Sequence, residues 1–454
     1  MTFSQSVSDV ETLPHQKSDD RENSLIARPK EKKISTTFAL INLMKGMVGP
    51  GCFAVPLAFK QGGLWGAFGV DFLLGIVSTV CMTKLVRCSQ LLCEKNKCGP
   101  LDYGQMAEEA FASSYQPLHR FKLAAKWIVN TCLIFLQFGI CSVFYIFVVD
   151  HAKEVVDHVW PHNGLSRNDY FLFALPAFLL LSLVRSIVIL SYVCLFGNVL
   201  MTVCLGIILT ELATAKHIPT SELPAITDMN GIVMAAGSIL YALEGQAMVL
   251  PLENKMEHPQ YMGGLTGVLW TGVPLVTLIY AACGFYGYIA FGNDVQASIT
   301  LNLSDSPLNF SVKCMLLCVV YSGFLIQQYP LVEILWPLAK QPLRERKIRR
   351  AYIIALEYVF RFSIVFVALG ISWLIPNLDE IIPLIGVSAG MLLALVWPAL
   401  LEMVVFLQEW TANFRTAKLL LYVGLDCFYI VLGVFFVVTG LQANIRNLIN
   451  GETS

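Results

Sequence analysis

The sequence predicts an all-α integral membrane protein with about eleven transmembrane helices, of which the first and the sixth are broken. Hydrophobic residues make up 56% of the 454 positions and charged residues only 14%, a balance typical of membrane proteins rather than soluble domains. Apolar stretches long enough to span a bilayer recur along the chain. Two of them are interrupted near their middle, and these two interruptions predict where the functional site lies.

The apolar stretches occupy most of residues 34–445, which we assign to one transmembrane domain. They lie at about residues 34–59, 64–83, 127–149, 171–184, 186–210, 229–252, 262–291, 314–338, 353–375, 381–406 and 419–442. The fourth stretch is the shortest, and only Arg185 separates it from the fifth.

The distribution of Lys and Arg predicts a cytosolic N-terminus. Residues 1–33 are polar and lack the apolar core of a signal peptide, which predicts a disordered cytosolic tail. With this tail inside, roughly three quarters of the Lys and Arg residues fall on the inner side, most densely at Lys340–Arg350. An odd number of spans places the short tail 446–454 on the outer or lumenal side. The N-x-S/T sequons at Asn302 and Asn309 share one predicted outer loop, so both are expected to be glycosylated.

Composition argues against several other classes of protein. The net charge of −1 offers no basis for nucleic-acid binding. The 13 cysteines fall within spans or on the cytosolic side, which predicts no disulfide framework, and none has a His at zinc-ligand spacing. We therefore expect no metal and no cofactor. No cofactor loop and no nucleophile arrangement indicates an enzyme, and membrane lipid is the expected surrounding.

The first break lies in the stretch Asn42–Pro56, with the sequence NLMKGMVGPGCFAVP. Gly49, Pro50 and Gly51 interrupt the helix because glycine adds backbone entropy and proline removes a hydrogen-bond donor. A break leaves peptide groups unpaired, which hydrocarbon tolerates only where the break is buried in protein or lines a wet cavity. The break therefore predicts a binding site near the middle of the membrane.

The second break lies in the sixth stretch, where Glu244 and Gly245 stand within an apolar run that continues to Pro251. A carboxylate at membrane depth costs at least ~2.5–3.5 kcal/mol on insertion scales, so Glu244 should face a cavity or a partner. The first and sixth spans are five apart, and five spans invert orientation. Corresponding spans of two inverted halves are then both broken, a pattern that predicts a secondary transporter with its site at the repeat interface.

The residues around both breaks resemble a known family, the proton-coupled amino acid transporters of the amino acid/auxin permease group within the APC superfamily. Its signature F-E-G…L-P-L-E-N-x-M is similar to Leu243-Glu244-Gly245 followed by Leu250–Met256. Its first-span pattern N-x-x-K-G-x-x-G-x-G…P-x-A…G is matched at Asn42, Lys45, Gly46, Gly49, Gly51, Pro56, Ala58 and Gly63. Weaker matches continue in order over about residues 34–445.

The resemblance implies a LeuT-type fold of five plus five inverted helices with one extra helix. It also implies symport of small neutral amino acids such as glycine, alanine and proline, with the proton as coupling ion. The membrane would be the plasma membrane or the lysosomal/vacuolar membrane. An alternative is an amino acid sensor at the lysosomal membrane with little net transport, which signals to cytosolic partners through its tail and Lys340–Arg350.

The expected site holds one amino acid between the two breaks. Its carboxylate should meet amide groups at Gly51 and Cys52, where the outer half of the first span begins, and its ammonium group the free carbonyls of the second break. Tyr145, beside Phe144, would close the site from the third span, and core packing is the alternative for both aromatic residues. The residues expected to contact the substrate are Met47, Val48, Gly49, Gly51, Cys52, Tyr241, Ala242, Leu243, Gly245 and Tyr145.

Four polar residues are candidates for proton coupling or gating. Glu244 should carry the proton or make a polar contact that shapes the site. Asp71 is either a proton carrier or a hydrogen-bonded structural acid, and Lys45 is either an inner-gate partner or a snorkelling side chain. Asn42 stands where some family members carry His; since Asn cannot titrate, coupling would pass through Glu244 or Asp71 or be absent. Pro50 stands where Thr is commoner and offers a ligand neither a hydroxyl nor an amide N–H.

Overall fold

The computed structural model describes residues 33–97, 99–161, 164–185, 187–304, 306–413 and 416–450, and its regular structure in these ranges is helical. The helices are α1 (Thr36–Met47), α2 (Val55–Gly62), α3 (Leu64–Asn96), α4 (Tyr103–Ala112), α5 (Lys122–Val159), α6 (Arg167–Ser182), α7 (Ile187–Thr214), α8 (Met229–Ala242), α9 (Gln246–Glu253), α10 (Val268–Phe291), α11 (Pro307–Glu345), α12 (Arg350–Leu374), α13 (Leu378–Ile385), α14 (Trp397–Asn413) and α15 (Thr416–Asn450).

The first span is broken where the sequence predicts it. α1 ends at Met47, and a 3-10 turn at Pro50–Ala54 leads into α2, with a bend of 46° between the two halves. Gly49 lies between them in extended backbone, which ends the helix without strain. Pro50 takes the first position of the turn, where the N–H that proline lacks would have no helical acceptor.

The sixth span is also broken, between Ala242 at the end of α8 and Gln246 at the start of α9. The start of α1 is hydrogen-bonded to the end of α9: the Ile34 N–H donates to the Lys255 carbonyl at 2.8 Å. At the other ends of the broken spans, the Thr227 hydroxyl donates to the Gln61 carbonyl at 2.5 Å. The two broken spans are therefore antiparallel. We call the side at which α1 begins and α9 ends the N-terminal side, and the other the far side.

In the described residues, nine helices are long and apolar enough to cross a membrane, and ten if the bent first pair counts as one span. The remaining predicted span is α6, which has 16 residues and rises about 24 Å, less than the ~30 Å of a bilayer core. Three residues after the end of α6, Arg185 forms two hydrogen bonds to Glu357 of α12, at 3.0 and 2.9 Å. Arg361, one helical turn after Glu357, contacts the same carboxylate at 3.3 Å, so one acid pairs with two guanidinium groups.

The helices form two groups that face each other. The broken spans α1–α2 and α8–α9 pack with α3 and α10, which we call the bundle. α5, α7, α11 and α12 pack with one another and form the scaffold. The last spans α14 and α15 are joined to α3 by a buried cluster in which Lys84 pairs with Glu402 and Asp426.

Candidate functional site

A cavity of about 360 Å³ lies between the two breaks and the scaffold. Its volume and its mixed apolar and polar wall are those of a small-molecule site. Its walls are formed by Asn42, Lys45, Gly46, Met47, Val48, Gly49, Pro50, Gly51, Gln137, Ile140, Phe144, Val193, Gly197, Asn198, Met201, Tyr241, Ala242, Glu244, Gly245, Ala247, Met248, Val319, Val320, Ser322, Gly323, Ile326, Gln327 and Pro330.

Most of the residues expected from the sequence come together at this cavity. From the first span these are Asn42, Lys45, Met47, Val48, Gly49 and Gly51. From the sixth span these are Tyr241, Ala242, Glu244 and Gly245. Four expected residues, Cys52, Leu243, Tyr145 and Asp71, do not line it.

The cavity opens toward the N-terminal side. Asn42 and Gly46 of α1 are exposed, whereas Pro50 and Gly51 at the break are buried. The far-side half, α2, contributes no residue to the cavity wall, and its residues 55–59 are buried. The described conformation is therefore open beside α1 and α9 and closed beside α2 and α8.

Small residues let the two breaks touch. A Cβ atom on Gly51 would lie 3.0 Å from the α-carbon of Ala242, closer than nearly all real Cβ contacts. On the other side of the break, a Cβ on Gly245 would lie 3.1 Å from Cγ of Met47. Glycine is needed at position 51 because it meets the backbone of Ala242 there, whereas Gly245 meets only side-chain atoms of Met47 and Met82.

The amides at the first break are only partly free. The Cys52 N–H donates to the Gly49 carbonyl at 3.1 Å, so in this conformation it is committed to the 3-10 turn. The expectation that Cys52 offers its amide to a ligand is therefore contradicted, because the turn uses it. The amides of Gly49 and Gly51 donate to no backbone carbonyl in the described residues, and both residues line the cavity.

Glu244 stands at the second break, just before α9. Its side-chain oxygens are shielded from solvent, and the amides of Gln246 and Ala247 in the first turn of α9 face them. The positive end of the helix dipole favours a carboxylate at this position. Among the described residues that line the cavity, Glu244 is the one acid, and it lies on the side of α9.

Tyr280 of α10 joins the two breaks. Its hydroxyl lies 2.7 Å from the carbonyl oxygen of Met47 and 3.0 Å from that of Ala242. A phenol has one hydrogen to donate, so these two acceptors share it. The last carbonyls of α1 and α8 are thereby satisfied in the interior. Sequence reasoning missed Tyr280 because a tyrosine in an apolar span has the pattern of core packing.

Tyr145 is a core residue rather than a wall of the cavity. Its hydroxyl donates to the Phe171 carbonyl at 2.7 Å, and its ring stacks on Phe178 with 4.5 Å between centroids. The neighbouring Phe144 lines the cavity instead. Its ring rests on Gly323 of α11, where a Cβ atom would lie 2.7 Å from Cε1 of Phe144.

The scaffold wall contains a polar pair that the sequence did not single out. Gln137 of α5 donates from Nε2 to Oε1 of Gln327 on α11 at 2.5 Å. Asn198 and Ser322 lie on the same wall among apolar residues. Lys45, on the opposite wall, forms no ion pair with any described carboxylate.

Asp71 of α3 lies in the interior near the first break. It is fully buried, and neither of its oxygens has a hydrogen-bond partner among the described residues. The hydrogen-bonded structural acid, one of the two expectations, is thus contradicted.

The two sequon residues differ in accessibility. Asn309 is buried at 1% exposure, and its Nδ2 donates to Glu211 at 2.8 Å and to Ser304 at 3.1 Å. A glycan on Nδ2 is incompatible with this packing, which corrects the expectation for Asn309. Asn302 is partly exposed, with Nδ2 donating to the Asp294 carbonyl at 2.8 Å.

Comparison with known families decides the class of protein. The family model described as transmembrane amino acid transporter protein matches residues 32–446, which include both broken spans. This chain belongs to the transmembrane amino acid transporter family. It is a transporter and not an enzyme.

Two related proteins are similar in sequence to this transporter over most of their length. It is 30% identical over 421 residues to "Probable amino acid transporter skat-1" of Caenorhabditis elegans, covering 92% of this chain and 90% of that protein. It is 28% identical over 423 residues to "Proton-coupled amino acid transporter-like protein pathetic" of Drosophila melanogaster, covering 91% and 85%.

A solved transporter structure has a similar fold. Mhp1, a nucleobase-cation-symport-1 family transporter in a closed conformation with bromovinylhydantoin bound, matches with a TM-score of 0.50 and 10% identity, covering 91% of each chain. At this identity the likeness shows the fold alone. The transporter therefore has the LeuT-type fold that its two broken spans and their resemblance predict.

Proposed function

We propose that this transporter moves small neutral amino acids together with protons, by alternating access. The observation that carries the proposal is the cavity between the two breaks, which brings free amides, a carboxylate and an apolar wall together. The name of the Drosophila relative, which describes it as proton-coupled, supports the proton as the coupling ion.

The main-chain groups of the amino acid would bind to the bundle side of the cavity. The substrate carboxylate accepts hydrogen bonds from the amides of Gly49 and Gly51, at the start of the far-side half of the first span. The substrate ammonium group faces Glu244 across the gap between the breaks. Glu244 is a stronger partner for the ammonium group than the Ala242 carbonyl, because a hydrogen bond between an ammonium group and a carboxylate is charge-assisted on both sides.

The size of the substrate follows from the residues at the breaks. Gly51 and Ala242 leave little room beside the bound main chain, which favours glycine, alanine and proline. The side chain points toward the scaffold wall, where Phe144 and the Gln137–Gln327 pair limit its length.

Alternating access would come from rocking of the bundle against the scaffold. The described conformation is open on the N-terminal side. Closing α1 and α9 onto α5 and α11 would occlude the substrate, and opening α2 and α8 would release or admit it on the far side. With the N-terminus in the cytosol, this conformation faces inward. Either the plasma membrane or the lysosomal/vacuolar membrane fits this arrangement.

Radiolabelled flux in proteoliposomes tests the proposal. Glycine, alanine and proline should accumulate inside the vesicles when the outside is made more acidic than the inside. A protonophore should abolish this accumulation. Leucine and phenylalanine should be carried at lower rates. Binding of alanine to the purified protein without flux would overturn the proposal in favour of a sensor, and equal accumulation without a pH gradient would overturn proton coupling.

A further inference from the structure

The connection between α11 and α12 carries a dense cluster of positive charge. Residues 340–350 have the sequence KQPLRERKIRR, with six Lys or Arg residues and one acid, Glu345. Five of the six basic residues are exposed, and Lys340 is partly exposed. We call Lys340–Arg350 the basic turn.

The basic turn lies on the N-terminal side of the molecule. α10 begins on that side, because a Cβ atom on Gly272 would lie 3.0 Å from Cδ1 of Leu40 in α1. α10 ends on the far side, where a Cβ on Gly287 would lie 2.6 Å from Cγ of Pro56 in α2. α11 therefore starts on the far side, and its 39 residues bring the chain back to the N-terminal side. The distribution of Lys and Arg predicts that this side is cytosolic.

The positive charges of the basic turn have no partner within the described part of the chain. The ion pairs of the described residues involve none of its six Lys and Arg side chains. Its one acid, Glu345, accepts a hydrogen bond from the Gln341 side chain at 3.2 Å instead of pairing with a neighbouring Arg. Like charges so close together repel one another, and a bound anion with several charges would relieve this repulsion.

The turn holds a lysine at a position that favours glycine. The Ile348 N–H donates to the Leu343 carbonyl at 3.2 Å. The Lys347 N–H donates to the Arg344 carbonyl at 2.9 Å, which completes the pattern of a Schellman turn at the end of α11. Lys347 accordingly has a left-handed backbone, with a φ of 54°. Glycine adopts this conformation readily, whereas a residue with a Cβ atom loses free energy in it, so the charge of Lys347 is present at a cost to the turn.

The first turn of α12 places the basic turn at the level of the lipid headgroups. Tyr352 is 67% exposed, and Leu356 and Val359, which follow on the same face, are also exposed. α12 is long and apolar enough to cross a membrane, so these apolar side chains face hydrocarbon, and an exposed tyrosine before them is typical of the membrane interface. At about 1.5 Å per residue, Arg350 lies only about 3 Å further out than Tyr352. The cations therefore lie at the depth of lipid phosphates.

We propose that the basic turn binds the headgroup of a phospholipid with several phosphates, a polyphosphoinositide of the cytosolic leaflet. Four of the six basic residues are Arg, whose planar guanidinium group binds phosphate oxygens through two parallel hydrogen bonds. Clusters of about four to eight Lys and Arg at the cytoplasmic end of a transmembrane helix are typical of such sites. A headgroup with several phosphates matches this number of cations, whereas phosphatidylserine offers a single net negative charge.

The bound lipid would act on the scaffold. α11 and α12 both belong to the scaffold, and α11 contributes Gln327 and Pro330 to the cavity wall. A headgroup that contacts the ends of both helices should stabilise the folded transporter. This inference depends neither on the proposed substrate nor on proton coupling.

Titration of the purified full-length transporter in detergent with a short-chain phosphatidylinositol bisphosphate tests this proposal. The unmodified protein should bind the lipid and unfold at a higher temperature in its presence. A variant that combines Arg346→Gln, Lys347→Gln, Arg349→Gln and Arg350→Gln should bind at least about tenfold more weakly, because each Lys or Arg near the phosphates contributes to binding. The matched control removes four exposed basic residues elsewhere on the same side, by Lys95→Gln, Lys97→Gln, Arg120→Gln and Lys122→Gln. It should bind the lipid as tightly as the unmodified protein.

Lys347→Gly separates lipid binding from folding. Glycine suits the left-handed position, so this variant should unfold at the same or a higher temperature without lipid, while its affinity for the lipid falls about fivefold. Unchanged lipid affinity in both basic-turn variants would overturn the inference and leave the turn to an acidic protein partner. Equal weakening in the control would overturn a defined site in favour of the general charge of this side.

Two further ligands test the kind of anion. Short-chain phosphatidylserine should bind more weakly than the bisphosphate lipid, and equal affinity would overturn the requirement for several phosphates. Inositol trisphosphate, which lacks acyl chains, should also bind more weakly. Equal affinity for it would overturn the lipid assignment in favour of a soluble phosphate.

Discussion

Gly51 and Ala242 meet through their backbones, so that a Cβ atom on Gly51 would lie 3.0 Å from the Ala242 α-carbon and 3.3 Å from Cε1 of Tyr241. The two broken spans touch here because both positions are small. Tyr280 holds the Ala242 carbonyl, and it also holds the Met47 carbonyl at the end of α1, four residues before Gly51. In the proposed binding mode, this contact sets the distance between the groups that bind the substrate carboxylate and the substrate ammonium group.

Gly51→Ala should therefore abolish or strongly reduce uptake, because the added methyl group pushes the breaks apart. The cost of such overpacking is typically about 1–3 kcal/mol, enough to weaken substrate binding by at least about fivefold. The measurement is alanine KM in proteoliposomes at matched protein content. Gly69→Ala is the control, because a Cβ at Gly69 of α3 meets no atom within 4 Å. If Gly51→Ala had normal KM, the direct contact of the breaks would not set the site.

Glu244→Gln keeps volume and hydrogen bonding but removes the titratable group. We expect uptake to be largely lost while the protein reaches the membrane in normal amount, because the substrate ammonium group loses its anionic partner. Surface labelling and uptake across pH 5–8 measure the two effects. Unchanged pH-dependent uptake would reduce Glu244 to a structural residue at the start of α9.

Asn42→His places a titratable ring on the exposed part of α1, within the cavity wall. Histidine changes charge between pH 5 and 8, so the variant should show steeper pH dependence of uptake than the unmodified chain. The slope of rate against pH, measured with clamped internal pH, is the readout. Asn42→Gln serves as control for side-chain size. Equal slopes in both variants would mean that position 42 has no part in coupling.

Pro50→Thr restores an amide N–H and adds a hydroxyl at the start of the 3-10 turn. The added N–H has no helical acceptor there, so it is free for the substrate carboxylate, and alanine should bind more tightly by the ~0.5–1.5 kcal/mol of one hydrogen bond. Calorimetric titration with alanine gives the affinity. Weaker binding would show that Pro50 itself favours substrate binding, and it would contradict the placement of the substrate carboxylate at this turn.

Asn302 and Asn309 should behave differently on expression in a eukaryotic cell. Asn302→Gln should remove a glycosidase-sensitive shift in gel mobility, because Asn302 is partly exposed in a predicted outer loop. Asn309→Gln should leave that shift unchanged but lower thermal stability, because its buried side chain links α11 to Glu211 of α7. A cytosolic tag signal from this loop would contradict the predicted orientation.

The two breaks could be predicted from the sequence because glycine, proline and a mid-membrane acid are local signals. The residue types at Gly49–Gly51 and at Glu244 predict the two helix breaks without any information about packing. Tyr280 and the Gln137–Gln327 pair could not be predicted, since their roles depend on which residues of distant helices face each other. The same limit explains why one of the two sequence-based expectations for Asp71 and the expectation for the Cys52 amide were wrong. Only the packed structure shows that the Asp71 carboxyl has no hydrogen-bond partner among the described residues and that the Cys52 amide already donates to Gly49.

The most direct test of the site is a structure of the purified transporter determined with saturating alanine. The account predicts density for alanine between the two breaks, with its carboxylate at the Gly49 and Gly51 amides and its ammonium group toward Glu244. Density for alanine outside this cavity, or within it but with the carboxylate turned toward the Gln137–Gln327 pair, would contradict the account.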